Sequence, residues 1–112
     1  MVLLKQKLRN AVLRYGSEFD FELKNILVNG QKRGCSGFIT NLQNGVTVFV
    51  NTEKSVYQPL SNKVLVRYAR DVKDFGGSHS HNTYVNYADI AAYINTMLND
   101  KSEYDLWIGE HF

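Results

Sequence analysis

Residues 37–50, GFITNLQNGVTVFV, read as two β-strands joined by a tight turn. Gly37-Phe38-Ile39-Thr40 and Val46 to Val50 are rich in β-branched and aromatic residues, and Leu42-Gln43-Asn44-Gly45 separates them. Asn-Gly accepts the positive φ angles that hairpin turns need, so the stretch predicts an antiparallel hairpin. A second Asn-Gly, Asn29-Gly30, follows Ile26-Leu27-Val28. Residues 17–28 fit two periodicities. Phe19, Leu23, Ile26 and Leu27 have helical spacing with Ser17 as a cap, whereas Phe19, Phe21 and Leu23 alternate with Glu18, Asp20, Glu22 and Lys24. The turn dipeptide tips the reading to a strand.

Further out, Leu4, Leu8, Ala11, Val12 and Tyr15 make an apolar stripe, with Lys5, Lys7, Arg9 and Arg14 mostly off it. This predicts an amphipathic helix over residues 3–15, stopped by Gly16. Residues 51–62, NTEKSVYQPLSN, hold the single proline and read as a loop. Val64, Val66 and Tyr68 alternate with Leu65, Arg67 and Ala69, a further strand that Gly76-Gly77 is expected to end. A second helix is expected from Asn86, with Asp89 near a capping-box position and Ile90, Ala91, Ile94, Met97 and Leu98 as its buried stripe. The tail SEYDLWIGEHF alternates acids with large apolar groups, as an edge strand or a docked arm would. The expected fold class is α+β: a small antiparallel sheet of about four strands, built from hairpins and flanked by an N-terminal and a C-terminal helix in two layers. One domain spans residues 1–112, with 101–112 an acidic-aromatic tail.

A length of 112 residues suits one core, and 44% hydrophobic residues suit a folded chain. No apolar run approaches the roughly 18 residues of a membrane span. Lys5 and Lys7 interrupt the apolar start, which is not expected to be a signal peptide. A single cysteine, Cys35, excludes an internal disulfide and suits a reducing, cytoplasmic compartment.

The net charge of +2 conceals a polarity. Residues 1–73 hold 12 Lys/Arg and 5 Asp/Glu, giving +7; residues 74–112 hold 1 Lys and 6 Asp/Glu, giving −5. The sign changes inside Arg67 to Asn82, RYARDVKDFGGSHSHN. There His79 and His81 could ligate a divalent metal, completed by Asp71, Asp74 or His111. A polar exposed loop explains the same residues. Asp74-Phe75-Gly76 matches the metal-binding triplet of kinases, but no other kinase motif accompanies it. Cys35 with His79 or His81 would form a nucleophilic dyad, yet small buried cysteines are commoner.

Lys5, Lys7, Arg9, Arg14, Lys32, Arg33, Lys63, Arg67, Arg70 and Lys73, with Tyr57 and Tyr68 for stacking, have the composition of a nucleic-acid surface or of an ordinary solvated face. The acids Asp100, Glu103, Asp105 and Glu110, set among Tyr104, Trp107 and Phe112, have the composition of a surface that imitates phosphates towards a basic groove. Equally, Leu106, Trp107 and Ile108 could simply cover the core.

The words GCSGFI (Gly34 to Ile39), VNTE (Val50 to Glu53) and RYARDVKDFGG (Arg67 to Gly77) resemble those of small accessory proteins of phages and conjugative elements in low-GC Gram-positive bacteria. That resemblance, over about residues 25–85, implies an inhibitor of host defence, anti-CRISPR proteins included, or a DNA-transfer accessory. The leading expectation is a non-enzymatic binding protein without a cofactor, whose protein partner is a host nuclease or effector complex. Its contact residues would be Arg67, Tyr68, Arg70, Lys73, Asp74, Phe75, Asp100, Glu103, Asp105, Trp107 and Glu110. A nucleic-acid-binding accessory protein comes second, and a small metal-dependent hydrolase using His79 and His81 third. No membrane partner is expected; homodimerisation through a sheet edge or the tail is a further option.

Overall fold

The computed structural model describes residues 19–28, 31–51, 63–74 and 82–112, with side chains described from Ser36 onward apart from His111. Among these residues five strands form one antiparallel sheet, each beside its neighbour in sequence. They are β1 (Phe19–Val28), β2 (Gln31–Asn41), β3 (Thr47–Asn51), β4 (Lys63–Ala69) and β5 (Thr83–Asn86). A 3-10 turn, Tyr87–Asp89, then leads into helix α1 (Ile90–Leu98) and helix α2 (Lys101–His111). The chain is therefore α+β with a small antiparallel sheet.

Residues 19–28 take the strand alternative, and Val28 pairs with Gln31 across Asn29-Gly30. The register slips once. Ile26 faces Gly34 and Leu27 faces Lys32, so Arg33 is the extra residue of a bulge.

The 37–50 hairpin forms as the sequence predicts. The Asn41 N–H donates to the Val46 carbonyl (2.9 Å) and the Gly45 N–H to the Asn41 carbonyl (2.7 Å). Gly45 has φ of 80°, a conformation that favours glycine. Both turn asparagines act twice. Asn41 Oδ1 accepts from the Gln43 N–H (3.0 Å), and Asn44 Oδ1 accepts from the Val46 N–H (2.9 Å). Their Nδ2 groups donate to one shared acceptor, the Leu98 carbonyl, at 2.9 and 3.1 Å. Leu98 ends α1, where carbonyls lack helical partners. The β2–β3 turn thus caps a helix more than fifty residues away.

The registers place side chains in rows across the strands. On one face lie Ile39, Val48 and Tyr68, and beside them Val50 and Val66. Ile90, Ile94 and Leu98 of α1 and Tyr104 and Trp107 of α2 complete that core. Of the stripe expected for the first of these helices, Ile90, Ile94 and Leu98 are buried, Met97 packs half-buried against them, and Ala91 is half-buried. On the opposite face Phe38, Phe49 and Ala69 form a second buried cluster, with Leu65 and Val72 against it.

Four expectations are corrected. The sheet gains β5, which was not read because TYVN is too short to show a period. β4 ends at Ala69 rather than at Gly76-Gly77, because Asp71 and Asp74 fold the next residues into a turn: Asp71 Oδ1 accepts from the Lys73 N–H (2.8 Å) and Asp74 Oδ2 from the Arg70 N–H (3.0 Å). Neither Asn86 nor Asp89 makes a side-chain cap bond, so the expected capping box is not formed. The tail is neither strand nor arm but helix α2, whose start is capped by Asp100 Oδ1 on the Glu103 N–H (3.1 Å). The expected helix over 3–15 and the loop after Asn51 lie outside the described residues. No described helix is long and apolar enough to cross a membrane.

Asn41 is 1% exposed, whereas Asn44 is partly open to solvent. Asn41→Asp replaces a buried donor with a charged acceptor facing a carbonyl, and should cost about 1–3 kcal/mol in urea unfolding. Asn44→Asp should cost clearly less. Equal losses at both positions would contradict Asn41 as the principal tie.

Candidate functional site

A groove of about 380 Å³ opens on the helix-bearing face. Tyr68 and Thr83 come from the sheet, Tyr93 and Thr96 from α1, and Glu103 and Trp107 from α2. Met97 and Asp100 line the junction between the two helices. The local sequence explains this placement. β4 runs on past the last β4–β5 pair, Val66 with Thr83, so Tyr68 stands beyond the end of β5. Only Asn99 and Asp100 separate α1 from α2, and this short corner brings Tyr93 and Glu103 to one cavity.

Aromatic rings build the inner wall. The Tyr68 centroid lies 5.3 Å from that of Tyr104 and 6.0 Å from that of Trp107. Tyr104 stacks on Trp107 at 6.2 Å, and Phe112 meets Trp107 edge-on at 5.5 Å. Such pairs add about 0.5–1.5 kcal/mol each beyond burial. Tyr104 is anchored through its hydroxyl, which donates to the Ala69 carbonyl at 2.6 Å. The Tyr68 hydroxyl points towards the Met97 carbonyl at 3.4 Å. Burial, then the charges of Asp100 and Glu103, then Tyr93, push the Tyr68 hydroxyl up to about 12. Burial raises Tyr104 as well.

The acids of α2 fall on two flanks. Helix geometry of 3.6 residues per turn puts Glu103, Leu106 and Glu110 on one strip and Asp105 on the far side. Asp105 there meets Lys101 at 3.1 Å, an i,i+4 pair. Leu106 is 61% exposed between its two acids. Nearby, Arg70 lies over the Phe112 ring at 4.8 Å.

The residues expected to make contacts are thus divided. Arg70, Lys73, Asp100, Glu103, Asp105 and Glu110 are exposed, Tyr68 and Asp74 are half-buried, and Arg67 and Trp107 are buried. Phe75, His79 and His81 lie outside the described residues. Among the described residues no group of three or more His, Cys, Asp or Glu is placed to hold a metal. Tyr93, Thr83 and Thr96 were not singled out by sequence, since each reads as an ordinary solvent-facing residue.

Arg67 illustrates the division. It sits opposite Phe49 in the register, with its guanidinium carbon 4.5 Å from the ring centre. Nη1 donates to the Tyr68 carbonyl (3.0 Å) and lies 3.7 Å from Asp74 Oδ2; Nη2 donates to the Asp74 carbonyl. Burial lowers its pKa and Asp74 pulls it back, but an arginine stays charged. This cation fastens the 70–74 turn to the second sheet face.

Comparison with protein-family models, with curated proteins and with solved structures gives no match.

Arg67→Ala should destabilise the fold on the order of 3 kcal/mol, because it removes the ion pair with Asp74 and the hydrogen bonds that fasten the turn, and uncovers Phe49. A change under about 0.5 kcal/mol, the usual surface value, would contradict this role. Tyr68 gives a pH signature. Its neutral form is favoured in the fold, so its contribution is complete below pH 10 and is lost as pH rises from 10 towards about 12. Tyr68→Phe should flatten the loss of thermal midpoint across that window; an unchanged slope would assign the loss to other groups.

Proposed function

We propose that this chain is a binding protein that meets a basic macromolecular surface with helix α2. The observation that carries the reading is the Glu103–Leu106–Glu110 strip, an exposed apolar residue between two acids, beside a groove edged by Asp100. An apolar anchor supplies contact area, and flanking charges of one sign supply steering and choice of partner. Residues 82–112 contain five acids and one lysine, so the surface around the strip is negative, at −4. Exposed Tyr93, which shares the groove with Glu103, extends its apolar part.

The partner class that agrees with this polarity is a protein with a basic nucleic-acid groove. A host nuclease or effector complex opposed by a mobile genetic element, the kind of partner the sequence resemblance implies, is such a protein. In this reading α2 imitates a run of phosphates, and no reaction is carried out. Arg70 and Lys73, exposed on the turn after β4, make a second contact of opposite sign. The same reading takes the chain to be cytoplasmic and keeps the expected two-layer arrangement, with the helix expected over residues 3–15 flanking the sheet.

The test separates the two flanks of α2. Tagged protein is used to capture partners from a Gram-positive lysate, and co-eluting proteins are compared by mass spectrometry. Glu103→Lys with Glu110→Lys should remove the captured partner while leaving the thermal midpoint nearly unchanged. Asp105→Lys should retain it. Asp100 is left alone because it caps α2. A partner set indifferent to the double reversal would overturn the proposal.

A further inference from the structure

We infer that the groove between β4 and the α1–α2 corner is a binding site for an organic cation, a guanidinium or alkylammonium group. Three observations converge on that chemistry. The wall is aromatic, with Tyr68, Tyr93 and Trp107 offering ring surfaces, and ring faces attract organic cations. The edge is acidic, with Asp100 and Glu103 on the same cavity. The volume of about 380 Å³ lies in the range of small-ligand sites, enough for an arginine or lysine side chain.

The field at the site has the required sign. Asp100 and Glu103 share the cavity with Tyr68, and after burial, the larger cause, their charges add to holding the proton on its hydroxyl, so negative potential reaches the inner wall. Arg67 also borders the groove, but its guanidinium lies over Phe49 on the other sheet face and is matched by Asp74. Lys101 is drawn to Asp105 and the Tyr104 ring, on the far flank of α2. Neither cation stands in for the ligand. Thr83 and Thr96 add hydroxyls that can accept from an N–H group.

The cation has two sources with the same chemistry: a free small molecule, or a side chain of the partner proposed above. The second source rests on the binding reading; the site itself does not. Trp107 is the chain's one tryptophan and lines the groove, so its emission reports occupancy directly.

Titration of the full chain with N-acetyl-arginine amide, with a short arginine-containing peptide and with its citrulline counterpart tests the site. A saturable change in Trp107 emission is expected with an arginine probe, and binding at least roughly tenfold weaker with the neutral, nearly isosteric citrulline. Comparable affinity for the free amide and the peptide assigns the site to small cations; binding by the peptide alone assigns it to a partner chain. Asp100→Asn with Glu103→Gln should weaken either by roughly tenfold with the thermal midpoint kept, since asparagine also caps helices. Tyr93→Ala, at an exposed wall position, should weaken it too. Absence of saturation, or equal binding of arginine and citrulline peptides, would overturn the inference. Saturation with arginine in the unmodified chain, alongside a captured partner set that is empty or indifferent to Glu103→Lys with Glu110→Lys, would keep the cation site and reject the protein-binding reading instead.

Discussion

The carbonyl of Leu98 takes two amide hydrogen bonds, from Asn41 and Asn44, and the rest of the fold follows from that arrangement. A helix end normally leaves carbonyls in need of donors. Here the donors come from a hairpin turn whose own shape is fixed by the same two side chains through their oxygens. One pair of residues therefore specifies the turn, halts α1 and sets where α1 lies on the sheet. Ile94 and Leu98 are then held against Ile39 and Val48, and Asp100 can begin α2 at once. The corner that results places acids and aromatic rings around a single opening.

The opposite face is organised by a charge rather than by apolar residues alone. Phe38, Phe49 and Arg67 lie side by side across three strands, with Arg67 at 3% exposure. Buried cations are costly unless paired, and this one has a carboxylate, two carbonyls and a ring face. The arrangement shows why β3 and β4 are buried on both faces, a pattern more familiar in sheets covered on two sides.

Much of the sheet was legible because its signals are local. Asn44-Gly45 and the alternation in residues 37–50 give the central hairpin, Asn29-Gly30 supports β1, and the Ile90–Ile94–Leu98 spacing gives α1. What escaped depends on contacts that a local pattern does not carry. The acid–apolar alternation of residues 102–112 resembles a strand, yet the cap at Asp100 and the packing of Tyr104 and Trp107 make it helical. Arg67 alternates as though it faced solvent, and only the register opposite Phe49 reveals its burial. The acids of the candidate site were legible by composition, but the groove was not. Tyr68, Tyr93 and Trp107 come from three elements, and nothing in their spacing announces a shared cavity.

The order of strands also bears on how the chain reaches this state. Each strand pairs with its neighbour in sequence, so the sheet can assemble through successive short closures. The bonds from Asn41 and Asn44 to Leu98 are different, since they close loops of 57 and 54 residues. The entropy of that closure grows only slowly with length, but it must be met before these two bonds reward it. The meander is thus free to form as a template, and those two bonds latch the helical corner to it.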